Sequence, residues 1–448
     1  MTTTTQHSIR GPEQILTEVR RGRMSKFQII AVSLALMLII LDGFEVGIMA
    51  FAAPEIQSQM GLSSDVLGYV LSASLFGMAI GSILLTPLAD RFGRRPLTLA
   101  MLVLIVAGMA LTITAPSAGM LILWRVLTGL GIGGMMANLN ALVAEYSSDA
   151  RRTTAIAIYA AGYPIGATVA GFIAGPLIPM FGWQVIFVVG TLLAGGALTA
   201  AWFFLPESLD YLLGRRPDNA LSRVNRILSR MHMAPLNELP KHSTAEVQAK
   251  DKGMLREMLS PPILRLTIAL WVGYGLLTAS YYFANTWIPT ILTNVTGDPQ
   301  LGTIMGIGAN LGGVLGCFIF AGLAIRFSGR TLLCMTLFAA AAAYLIFSIV
   351  PIAVVVGFVL GMLTTGAIAG FYAVAPTIYS ARVRATGIGW MIGLGRLVSV
   401  AAPIIVGYIL AAGMAPERVF IAFAVPLVIA ALAALSLLIG RQNATMAD

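Results

Sequence analysis

The sequence predicts an all-α membrane protein with twelve transmembrane helices in two six-helix, pseudo-symmetric halves. Three observations carry that expectation. First, 58% of the 448 residues are hydrophobic and only 10% are charged, where a soluble chain carries about a quarter charged residues. Second, the apolar residues come in runs. Leu34–Ile40, Leu97–Leu111, Val185–Leu205 and Val354–Leu363 each lie within a long stretch free of Asp, Glu, Lys and Arg. About twenty such residues cross the hydrocarbon core as a helix, which satisfies its own backbone there. Third, the chain repeats itself. Leu88–Arg95 reads LADRFGRR after the second run, and Leu323–Arg330 reads LAIRFSGR after the eighth, with Ile325 where the first copy has Asp90.

The elements follow in order. Residues 1–26 form a polar tail with no cleavable signal expected, and an N-terminal bundle occupies 27–206. Its spans are expected near 27–50, 67–86, 96–114, 120–143, 153–177 and 183–205. A polar linker, 207–265, is the longest interval between spans, and Asn219–Met231 within it has the spacing of a surface helix. The C-terminal bundle, 266–440, holds spans near 266–290, 301–324, 331–350, 353–378, 387–411 and 419–439, and a short tail covers 441–448. Six spans on either side of a linker is the hydropathy pattern of a duplicated transporter.

The formal charge of +9 raises the question of nucleic acid. With the N-terminus inside, however, Arg10, Arg20, Arg21, Arg23, Lys26, Arg91, Arg94, Arg95, Arg151, Arg152, the linker bases, Arg326, Arg330, Arg382, Arg384 and Arg441 are all cytoplasmic. Only Arg418 falls outside, and only Arg125 and Arg396 lie within spans. This is the positive-inside pattern, so the partner is a lipid bilayer and no nucleic acid is expected. The expected location is the bacterial inner membrane, multi-pass, with both termini cytoplasmic. Cys317 and Cys334 lie in apolar segments and read as packing residues. No His, Cys and acid cluster suits metal or nucleophilic chemistry, so neither an enzyme nor a cofactor is expected.

Several motifs together resemble the major facilitator superfamily. They are the TPLADRFGRR loop with Thr86 at its usual first glycine, Arg125 followed by Gly129, Gly131, Gly133 and Gly134, and the Pro206, Glu207, Ser208 ending of the sixth span. Two more, LDGFEVG from Leu41 to Gly47 and RATGIGWMIGLGRLVSVAAP from Arg384 to Pro403, resemble the aromatic acid:proton symporters. That family commonly has Asp where this chain has Glu45. The resemblance implies a proton-coupled carrier importing an aromatic carboxylate of the benzoate or hydroxybenzoate class by rocker-switch alternating access, working as a monomer. It also implies an inner gate at Asp90, Arg94, Glu145 and Arg384. Carriage of another small organic anion is the alternative, and a drug:proton antiporter is a further rival. The antiporter motif is only partly matched, by Gly171, Gly175 and Pro176, with Pro179 and Met180 in place of its closing glycines.

Charges at membrane depth are costly and therefore candidate functional groups. Asp42 and Glu45 are three residues apart on one helix, about 4.5 Å along the axis. Neighbouring carboxylates compete for charge, and a group protonated in one conformation and ionised in another is what proton coupling requires. His7, His232 and His242 lie outside every span, so Asp42 and Glu45 are the proton-coupling candidates. The alternative for Asp42 is a purely structural pair with Arg125. Arg396 lies in a half whose spans contain no acid, and its planar fork suits a carboxylate; pairing with Asp42 is the structural alternative. Arg125 serves substrate or structure equally well. Tyr163, Tyr281, Tyr282, Asn285, Asn310 and Trp390 are candidate pocket walls, offering rings to stack and amides to bond, against the alternative of plain packing. Asn138 and Asn140 lie nearer the cytoplasmic end and rank below them.

Overall fold

A computed structural model describes residues 17–21, 23–149, 151–239, 257–350, 354–379 and 383–445. Twelve of its helices are long and apolar enough to cross a membrane. In chain order they are α1 (Lys26–Met60), α2 (Ser64–Leu84), α3 (Arg94–Ile113), α4 (Ala118–Tyr146), α5 (Arg152–Phe181), α6 (Gln184–Phe204), α7 (Pro261–Thr296), α8 (Pro299–Leu323), α9 (Gly329–Ile349), α10 (Val354–Val374), α11 (Arg384–Ala411) and α12 (Pro416–Thr445). Each expected span is present. The largest difference is α1, which continues ten residues past residue 50 to Met60. The added segment holds Pro54 and Glu55 and stops at Gly61, whose φ of 61° turns the chain. Charge and proline ended the expected span there, but hydrogen-bonded helix continues beyond the hydrocarbon. At the other end, Ser25 and Gln28 form a reciprocal capping box, satisfying backbone donors that a helix start leaves open.

The helices pair in a pattern that occurs twice. In the first half α1 packs on α5, α2 on α4, and α3 on both α4 and α6. In the second half α7 packs on α11, α8 on α10, and α9 on both α10 and α12. Between the halves α2 meets α11, α5 meets α8, and α1 meets α7. Adding six to each helix number exchanges the first two contacts and returns the third, as a pseudo-two-fold axis requires. The lipid-facing surface is apolar, with Ile83, Leu192, Trp202, Phe203 and Met335 exposed.

The short helix Leu88–Phe92 marks one membrane face, here the loop face, and the turns at Gly61 and Gly297 mark the opposite, turn face. Several cross-half contacts lie toward the turn face. Gln57 accepts from Asn294 at 3.3 Å, Ser72 Oγ donates to the Val400 carbonyl at 2.8 Å, and the Tyr69 and Tyr408 hydroxyls meet at 2.9 Å. A Cβ on Gly68 or Gly407 would strike backbone of the facing helix, so α2 and α11 touch main chain to main chain. The ring of Phe51 sits against Gly171 of α5 and Gly306 of α8. The halves are thus packed closely at the turn face.

The loop itself is fastened to its own half. The Glu207 carboxylate accepts from the backbone N–H of Arg94, Arg95 and Ser208 at 2.8, 3.1 and 3.0 Å, and from Arg223 at 3.2 Å. Arg95 donates to the Trp202 carbonyl near the end of α6 at 2.5 Å. In the second copy Arg330 donates to the Leu437 carbonyl of α12 at 2.9 Å. The degenerate repeat keeps its arginine-to-carbonyl clasp although it has lost its acid. The helix Ala220–Arg230 forms in the linker as its spacing predicts, with Val224, Ile227 and Leu228 buried.

Candidate functional site

Asp42 and Glu45 of α1 lie at the centre of the molecule, where every residue from Leu41 to Ala53 is buried. That depth comes from close approach to α5. A Cβ on Gly43 would meet the Tyr163 carbonyl, and one on Gly166 would meet the Ile40 carbonyl. Glycine at both positions lets the two backbones touch, and this brings Tyr163 beside Asp42.

Glu45 and Asp42 have different surroundings. Glu45 pairs with Arg125 of α4 at 2.5 Å, and both side chains are fully buried. Ser74 of α2 donates to the same carboxylate at 3.3 Å. The Arg125 guanidinium lies over the Phe187 ring, 5.6 Å from its centroid, and reaches the Glu45 carbonyl at 3.5 Å. The expected alternative, Asp42 paired with Arg125, is therefore corrected. Arg125 takes Glu45, because Glu45 sits one helical turn closer to the turn face, where Arg125 enters α4.

Asp42 is buried, and neither carboxylate oxygen has a hydrogen-bond partner. The charge of Arg396, from α11, is felt at Asp42 across the space between the halves, without an ion pair. Arg396 is half-buried, and Nη2 touches Met136 Sδ at 3.2 Å, a weak acceptor. Its charge also reaches Tyr159, Tyr274, Tyr282 and Tyr372. Among the described residues, Arg396 and the unbonded Asp42 carboxylate thus lie within electrostatic reach of each other and of tyrosines from α5, α7 and α10.

The wall candidates divide. Tyr163 and Tyr282 lie within electrostatic reach of each other from opposite halves, and the buried Tyr163 hydroxyl has no hydrogen-bond partner among the described residues. Tyr281 lies edge-on to Tyr282 at 5.2 Å and accepts from Asn285 at 3.0 Å. Asn310 is buried, but its amide donates to Gly306 of its own helix at 2.9 Å. Trp390 stacks on Trp271, with centroids 5.9 Å apart, instead of joining the tyrosines. Asn138 likewise donates within its helix, to Gly134, and Asn140 is exposed. Tyr159, Tyr274 and Tyr372 belong to the space but carry no motif. A hydroxyl in an otherwise apolar span was their only sign in the sequence.

Of the gate candidates, Arg94 and Glu145 form an ion pair, and Ser208 donates to Glu145 at 2.8 Å. Arg384 is exposed and makes no ion pair among the described residues. Asp90 lies in the helix Leu88–Phe92, and its side chain is outside the described residues. Among the described residues no His, Cys, Asp and Glu group could hold a metal ion.

Comparison with known proteins adds the family. Residues 35–353 match the model of the Major Facilitator Superfamily. The chain is 29% identical over 390 residues to a 4-hydroxybenzoate transporter of Acinetobacter baylyi, covering 83% of each protein. It is 29% identical over 437 residues to a gallate transporter of Pseudomonas putida, covering 95% of each. The fold is similar to that of the Escherichia coli xylose transporter in a partially occluded inward-open form. The TM-score there is 0.69 at 14% identity, over 91% of this chain and 98% of that one.

Proposed function

The chain belongs to the Major Facilitator Superfamily, and we propose that it imports an aromatic carboxylate of the benzoate or hydroxybenzoate class together with protons. The observation that carries this reading is Arg396, a half-buried cation with no carboxylate bonded to it among the described residues, opposite the bare carboxylate of Asp42. A substrate carboxylate supplies the planar two-point partner a guanidinium prefers. The tyrosines around it supply ring faces for an aromatic body. Relatives that carry 4-hydroxybenzoate and gallate make the same choice of substrate class.

Asp42 is the coupling group in this scheme, and Glu45 with Arg125 is a buried pair that holds α1 to α4. An interior-negative potential opposes entry of a monovalent anion by about 2.3 kcal/mol per 100 mV. One proton travelling with the anion cancels that term and leaves the pH gradient to drive accumulation. The cycle is alternating access between the halves. The loop face is cytoplasmic in an inner membrane, with both termini on that side, and the carrier works as a monomer. When that face closes, Asp90 and the Arg94–Glu145 pair of the first half are the residues that meet Arg384 of the second.

The test is uptake of radiolabelled 4-hydroxybenzoate into liposomes containing the purified protein, with an imposed pH gradient. Asp42→Asn keeps the shape and removes the titrating group, so it is expected to abolish accumulation above equilibrium while leaving substrate exchange. Wild-type accumulation in that variant would overturn the coupling role.

A further inference from the structure

The scheme above uses the tyrosines around Arg396 only for their ring faces, and leaves the hydroxyls of one pair in the second half unassigned. The Tyr274 and Tyr372 hydroxyls lie 3.0 Å apart, and their rings are 5.9 Å apart and tilted at 39°. Tyr274 is only 5% exposed, enclosed by Phe371 and by Gly395, where a Cβ would strike its ring. Gly395 immediately precedes Arg396, and the absence of a side chain there leaves room for the Tyr274 ring against α11. Tyr372 by contrast is 39% exposed. It faces the space between the halves, since Tyr159 of the first half and Arg396 both lie within its electrostatic reach.

Hydroxyl bookkeeping leaves the pair one O–H to spare. Each phenol has one hydrogen to donate and two lone pairs. One hydrogen spans the pair, and the other O–H has no tyrosine partner left. Either hydroxyl can donate across the pair; when the enclosed Tyr274 is the donor, the O–H of the more exposed Tyr372 is left to bond a ligand. Losing such a partner costs a hydroxylated ligand far more than an unsubstituted one, because a site built around a polar group discriminates by what is left unpaired.

We infer that Tyr372, held by Tyr274, is a specificity-determining residue that bonds a hydroxyl on the substrate ring while the carboxylate sits on Arg396. This rests on the reading of the chain as an aromatic-acid carrier and narrows it to ring-hydroxylated acids. Tyr372 and Tyr274 act as a unit, since the second sets which way the first points.

Calorimetric binding of benzoate, 3-hydroxybenzoate and 4-hydroxybenzoate to the purified full chain tests this. Wild type is expected to bind at least one hydroxylated acid about tenfold more tightly than benzoate, the worth of one hydrogen bond. Tyr372→Phe should remove that preference by weakening the hydroxylated acid alone, with benzoate unchanged. Tyr274→Phe, a milder change behind the site, should reduce the preference in the same direction, and it serves as the test should Tyr372→Phe fail to fold. The inference falls if wild type binds all three acids equally, or if Tyr372→Phe weakens benzoate by the same factor. Should none of the three bind wild type, the aromatic-acid reading falls as well.

Discussion

Asp42 and Glu45 are one helical turn apart, yet their environments divide the work of the site. Glu45 pairs with Arg125 and accepts from Ser74, and Arg125 lies over the Phe187 ring of the first half, all buried. Removing one member of a fully buried pair leaves the other charge without compensation, which costs about 3–5 kcal/mol. Glu45→Gln is therefore expected to lower the thermal unfolding midpoint sharply. The double variant Glu45→Gln with Arg125→Gln should recover much of the loss. A double variant no more stable than the worse single one would show that the two side chains are not coupled. Arg396 gives a different expectation, because its bonded contact is the weak acceptor of Met136. Arg396→Lys should leave the unfolding midpoint near wild type and weaken 4-hydroxybenzoate binding about ten- to a hundredfold, as a charge-assisted two-point contact is lost. Tight binding by the lysine variant, measured by calorimetry, would reassign the carboxylate to another donor.

At the scale of elements, the loop between α2 and α3 shows how a motif becomes mechanics. Its arginines were legible as charge and as a gate, but their immediate partners were not. Glu207, read only as part of the ending of α6, accepts the first two backbone N–H groups of α3 and binds Arg223. These are orphan donors at a helix start, and a carboxylate there also meets the favourable end of the helix dipole. Glu207→Gln retains the shape and loses the charge assistance, a cost of about 1.5–3 kcal/mol. The expected outcome is faster hydrogen exchange at the amides of Arg94 and Arg95, with substrate affinity unchanged, since the clasp is remote from Arg396. Unchanged exchange would mean that other contacts hold this end of α3.

For the whole molecule, the seal at the turn face is built from backbone contact between α2 and α11. Small residues allow helices in a membrane to approach this closely, since no hydrophobic driving force acts between them. Gly407→Val places a branched side chain against the backbone of Ser64 and Asp65. It is expected to hold the halves apart at that face, and a cysteine placed at Tyr163 in a chain lacking Cys317 and Cys334 should gain reactivity toward a membrane-impermeant thiol reagent from the turn-face side. Equal reactivity with Gly407 intact would show that the seal does not depend on this contact.

Composition and runs alone determined that this is a twelve-helix membrane protein, because hydrocarbon tolerates almost no charge and demands helices of one length. Periodic repetition determined that it has two related halves. The rarity of intramembrane charge singled out Asp42, Glu45, Arg125 and Arg396, and no structure was needed to find them. Which acid belongs to which arginine was decided only by tertiary structure. That choice depends on helix rotation and on the glycine contacts between α1 and α5, and spacing along one helix carries no information about its neighbours. The tyrosines were undecidable for the same reason. A lone tyrosine in an apolar span looks alike whether it faces lipid, packing or the other half, and only the packing of three helices, α5, α7 and α10, brings Tyr159, Tyr274 and Tyr372 near Tyr163 and Tyr282.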